Sequence, residues 1–217
     1  MKKVALIIGI CVVLVVVVSL GVAGMDYFNQ SADDFLDTAS PFKSTENLTV
    51  IATVGDEKIY QETIDFLMEG YKFSQKNFTQ NKTSSEIAIQ SETLPTEKEI
   101  IREQVKKLVI LQDAEKLGLK ADYEESYQCA KDNYDLAKKV NDENYKLIES
   151  YIKKLNLTET EYLDLIAQSY QNSFTRANHY KKFIEDKTGT DEELKSQYDN
   201  YVNELIENAD IIYIDDK

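Results

Sequence analysis

Apolar residues recur every three or four positions along most of this chain, and polar clusters led by threonine interrupt the recurrence. Ile64, Leu67, Met68 and Tyr71 share one face of a helix. Ile101, Val105, Leu108 and Leu111 form a second stripe that runs to Leu117. Thr96-Glu97-Lys98-Glu99 opens it as a capping box, in which the threonine accepts an amide hydrogen and the glutamate reaches back. Gly118 ends it at the position where the backbone turns left-handed, with Leu119 placed to pack onto the last turn. Asp122 caps the next segment, with Glu125 three residues later and Tyr123, Tyr127, Ala130 and Tyr134 on one face. Tyr145, Ile148, Ile152 and Leu155 make a shorter stripe after Asp142. Thr158-Glu159-Thr160-Glu161 is a second capping box; it starts a long helix with Leu163, Ile166, Tyr170, Phe174, Ala177, Tyr180 and Ile184 inward. Gly189 stops that helix, and Thr190-Asp191-Glu192-Glu193 starts the last one, with Leu194, Tyr198, Tyr201 and Leu205 inward.

Two stretches have the period of a strand. In Leu48 to Tyr60, Val50, Ala52 and Val54 alternate with Thr49, Ile51 and Thr53, and Gly55-Asp56 supplies a turn before a short return. Far away, "ADIIYIDDK" alternates Ile212 and Ile214 with Ile211 and Tyr213, a pattern that suits a strand covered on both faces. A lone strand is unstable, so the two ends are expected to meet in a small sheet under a helical body. The predicted fold class is mainly α with a small β element.

The first segment has a different physics. Lys2 and Lys3 precede an uncharged run from Val4 to Gly24. At ~1.5 Å rise per residue, a run of about 20 residues spans a bilayer core of ~30 Å. The reading is a transmembrane anchor over 1–24 with its lysines in the cytoplasm and the rest outside. A cleaved signal with Val22-Ala23-Gly24 at its end is the alternative. Residues 25–47 hold acids, serines and Pro41 without a sustained period and read as a linker; 48–217 is then the folded domain.

Composition narrows the function. Seven glycines and two prolines are too few for a many-stranded barrel, and a net charge of −14 repels phosphate backbones, which excludes nucleic acid as a partner. Cys11 lies in the apolar run and Cys129 in the exterior part, so no disulfide framework is available; Cys129 reads as a small buried hydrophobe.

The order of these signals resembles the SurA N-terminal domain, the chaperone part of the SurA and PrsA class of exported folding factors. The residues that carry the resemblance are "ATVGDEKIYQETIDFL", "LVILQDAEKLGLKADYEESY", "LTETEYLDLIAQSY" and "GTDEELKSQYDNY" before a terminal strand, within Leu48 to Asp215. The resemblance implies an extracytoplasmic chaperone that holds unfolded secreted chains in an apolar cradle. Family members often add a parvulin prolyl isomerase. No Gly-Gly pair occurs here and the single His179 cannot supply a histidine pair, so isomerase chemistry is not expected.

Other candidate chemistry is weak. His179 has no nucleophile or acid at a telling spacing and reads as a surface histidine. "DKTGTDEE" lacks the alternating acids of a calcium loop, so neither a metal nor another cofactor is expected. Fourteen tyrosines suit either half-buried helix borders or a surface for varied peptides. Leu67, Met68, Tyr71, Tyr127, Tyr134 and Tyr145 are the candidate polypeptide-binding residues. Acidic walls would attract basic segments of clients, an effect that salt weakens. The expected partners are therefore unfolded exported polypeptides and, through the anchor, the membrane. An adaptor that grips one folded partner is the alternative.

Overall fold

A computed structural model describes residues 48–80, 94–140, 143–154 and 156–214. The anchor over 1–24 and the linker over 25–47 lie outside the described residues. Among the described residues no helix is long and apolar enough to cross a membrane.

The described residues begin with strands β1 (Val50–Val54) and β2 (Glu57–Tyr60), then helices α1 (Gln61–Gln80), α2 (Glu97–Lys116), α3 (Tyr123–Val140), α4 (Glu143–Lys154), α5 (Glu159–Ile184) and α6 (Asp191–Glu207). Strand β3 (Ile211–Tyr213) follows. The sheet order is β2-β1-β3, antiparallel throughout, so the expected meeting of the two ends takes place. Gly55 turns the hairpin with φ of 55°, a region closed to most side chains, and its N–H donates to Asp210 O at 2.8 Å. Ala52 and Val54 are fully buried beneath the helices.

All three threonine capping boxes form. Thr96, Thr158 and Thr190 each accept from the backbone N–H of a glutamate three residues on, and that glutamate accepts from the threonine's own N–H. Replacing Thr158 with alanine should lower the unfolding free energy by about 1 kcal/mol in urea titrations, with serine nearly neutral. Asp122 contributes half of such a cap, its Oδ1 accepting from Glu125 N at 2.9 Å.

The corner after α2 forms around Gly118, whose φ is 69°. Leu119 N donates to Ala114 O and Gly118 N to Glu115 O, the paired bonds that close a helix at a left-handed residue. Helix α5 then pins the corner from the far side. Thr175 Oγ1 accepts from Ala121 N at 3.0 Å, Gln171 Nε2 donates to Ala121 O at 2.9 Å, and Asn178 donates to Leu119 O. Helices α2, α3 and α5 therefore form one packed body, and the sheet lies against α2, where Gln112 Nε2 donates to Val54 O at 2.8 Å.

Three expectations are corrected. Strand β3 is not covered on both faces: Ile212, Tyr213 and Ile214 are 56%, 59% and 45% exposed, because nothing described lies beyond this sheet edge. Cys129 is half-buried rather than buried, with Asn133 Nδ2 3.7 Å from its sulfur. Along the second half of α5 the buried positions are Thr175 and His179, while Ala177 is exposed.

Candidate functional site

Of the six residues expected to bind polypeptide, only Tyr71 presents an exposed ring. Leu67, Tyr134 and Tyr145 are buried in the core; Met68 and Tyr127 are partly buried against it. Tyr134 contacts Tyr145 edge-on at 5.9 Å and Tyr162 at 5.8 Å, and Tyr162 meets Tyr151 at 6.3 Å. The protein's own rings fill the space between α3, α4 and the start of α5. Burial, then hydrogen bonds with Tyr145 and Glu159, pushes the Tyr134 hydroxyl well above its ordinary range. A shallow groove beside these rings is edged by Lys138, Lys146, Lys153, Glu149 and Glu159, which gives it a mixed-charge rim.

A more enclosed cleft of about 450 Å³ lies where α2, the α2–α3 corner and α5 converge. Leu108, Leu111 and Tyr123 supply its apolar surface, and Gln112, Gln168, Gln171 and Asn172 supply side-chain amides. These positions follow from two facing helices: residues 108, 111 and 112 share one face of α2, and 168, 171, 172 and 175 share one face of α5. Tyr123 is oriented by its hydroxyl, which donates to Asp164 Oδ1 at 2.8 Å. Gln112 and Gln171 each use Nε2 to hold the scaffold, and among the described residues Oε1 of each has no partner. The Asn172 side-chain amide makes no hydrogen bond with any described residue, and Gln168 Oε1 is buried without a described partner. The Gln112 and Gln171 Oε1 atoms can accept from a peptide N–H, and the Asn172 amide can meet both the donor and the acceptor of a peptide group. The cleft is thus suited to holding polar main chain over an apolar floor, and its volume is within the range of ligand pockets.

The second polar cluster overturns the surface reading of His179. The imidazole is 1% exposed and lies between α2, α5 and α6. Nε2 is 3.0 Å from Asp113 Oδ2, and Nδ1 is 2.8 Å from the Tyr198 hydroxyl; the same Asp113 oxygen accepts from Tyr201 at 2.8 Å. In the neutral tautomer that donates Nε2–H to the carboxylate, Nδ1 accepts from the Tyr198 hydroxyl. Tyr201 stacks on the imidazole at 5.9 Å and on Phe183 at 5.1 Å. Burial raises the Asp113 carboxyl, but hydrogen bonds from His179 and Tyr201 outweigh it and hold the group below its ordinary value. Burial also pushes Tyr198 and Tyr201 up to about 12, with the Asp113 hydrogen bond adding to Tyr201. The acid that orients His179 comes from another helix 66 positions away, a distance no local spacing reveals. Among the described residues no serine, threonine or cysteine joins the cluster. It clamps three helices and leaves no room for a substrate at the imidazole.

A half-buried cation lies on α2. Burial, and then neighbouring Arg176, brings the Lys107 amine down to about 8. Among the described residues no ion pair holds it, and no group of three His, Cys, Asp or Glu could hold a metal ion.

The model of the SurA-like N-terminal domain matches residues 1–176, which takes in β1, β2, α1 to α4 and most of α5, with the whole cleft inside the match. Helix α6 and strand β3 lie past it. No curated protein and no solved structure matches the chain.

Proposed function

Because the chain belongs to the SurA-like N-terminal domain family, we propose that it is a non-enzymatic chaperone that binds unfolded exported polypeptides. The observation that carries the reading is the cleft between α2 and α5, with an apolar floor and amides free to meet a peptide main chain. Such a site holds a chain without selecting its sequence and needs no bond-breaking group. Residues 1–24 serve as the membrane anchor and 25–47 as the tether, which holds the domain 48–217 outside the cytoplasm at the membrane surface.

The full chain should suppress aggregation of unrelated proteins diluted from denaturant, without ATP. Leu111→Glu, which places a charge on the cleft floor, should weaken the suppression by about 5-fold or more while shifting the melting temperature only slightly. Suppression should also fall as salt rises, since a net charge of −14 attracts basic client segments. Inactivity toward every denatured client, together with one tight folded partner in a pull-down, contradicts the chaperone reading and supports an adaptor. Mass measurement of the protein extracted from membranes tests whether the anchor is retained.

A further inference from the structure

The parity of the β1–β3 ladder decides which backbone groups of β3 are in use. Gly55 N donates to Asp210 O, and Ile214 N donates to Ile51 O. Thr53 and Ile212 are paired between them, so residues 210, 212 and 214 turn their main-chain groups toward β1. Ile211 and Tyr213 therefore turn their N–H and C=O groups away, onto the outer edge of the sheet. Among the described residues no strand pairs with that edge. The side chains beside it are Ile212, Tyr213 and Ile214, all exposed, so apolar surface borders the unpaired backbone on both faces.

An open edge with apolar flanks is a template for another strand. We propose that β3 captures an extended polypeptide segment by strand addition, with Ile211 and Tyr213 supplying the main-chain bonds. The proposal rests on the polypeptide-binding reading above and names a second contact for the same class of ligand. Charge selects the occupant. Glu207 and Asp210, which lead into β3, are exposed acids. In a chain of net charge −14, a second copy would bring the same sign to the same place. The edge fits an apolar segment flanked by lysine or arginine, and it disfavours self-pairing.

Tyr213→Pro is a selective test, because it removes an outward N–H and leaves the bonds to β1 in place. The probe is a blocked heptapeptide of alternating valine and threonine with a lysine at each end. A control probe carries N-methyl groups on every residue, which closes both of its edges. The full chain should bind the first probe and not the second. Binding should slow hydrogen exchange at Ile211 and Tyr213, and Tyr213→Pro should weaken it by about 10-fold or more at unchanged melting temperature. Equal binding of the two probes, or full affinity in Tyr213→Pro, overturns strand addition. So does a dimer that Tyr213→Pro dissolves, or strong protection of those two amides in the free monomer, which would mean that another copy or another part of this chain already occupies the edge. If strand addition fails while the chain still suppresses aggregation and Leu111→Glu still impairs it, the chaperone reading stands without this contact.

Discussion

Replacing Asp113 with alanine should lower the unfolding free energy by about 3 kcal/mol, because two donors lose their shared acceptor at once. One of them, His179 Nε2, is inside the protein and no solvent replaces the lost partner. The other is the Tyr201 hydroxyl on α6, so the clamp between α2, α5 and α6 opens. Asp113→Asn should lose less, since its amide oxygen still accepts one of the two bonds. The pH profile separates charge from packing. The Asp113 carboxyl titrates below its ordinary 3.8 in the folded state, so its contribution is complete above that value and is lost as pH falls through the lower folded value. Asp113→Asn should flatten that acid limb. Tyr198 and Tyr201 act at the other end: held up to about 12 from an ordinary 10.0, they contribute fully below pH 10.0 and lose that contribution as pH rises toward about 12. Chemical denaturation at stepped pH measures both limbs.

Ile212→Pro should destabilise the domain by about 2–3 kcal/mol, whereas Tyr213→Pro next to it should change stability by less than about 0.5 kcal/mol. The difference comes from direction. The Ile212 N–H points at Thr53 in β1, and removing it leaves a ladder acceptor unpaired; the Tyr213 N–H points outward. The loss should appear first as faster exchange in β1, whose Ala52 and Val54 line the core. Equal effects of the two prolines would contradict the register on which the edge argument depends.

Helix boundaries were readable because their signals are local. A threonine and a glutamate three residues apart act on the same turn, and Gly118 supplies a conformation that few residues can adopt. The closure of the sheet was also readable, since two isolated strand patterns had only each other to pair with. Burial at the helix faces was less legible. Phe66 and Tyr151 lie outside the expected stripes and are almost fully buried, because helices packed on more than one side hide more than one face. His179 was misplaced for a related reason: a polar side chain enters a core only with partners, and its partners come from α2 and α6. Tyr134 and Tyr145, two of the tyrosines expected to line a client surface, pack against each other in the core instead, while Tyr71 stays exposed. The amide cleft was hidden because Gln112 and Gln168 are ordinary helix-surface residues until two helices bring them together.

The most direct measurement is the hydrogen-exchange footprint of an unfolded client on the full chain, read by mass spectrometry. Binding in the cleft and at the sheet edge should slow exchange around Leu108 to Gln112, around Gln168 to Asn172 and at Ile211 to Tyr213, and leave the tyrosine core of α3 and α4 unchanged. Saturating client with no slowing in the cleft segments, or with protection confined to other surfaces, would contradict the account.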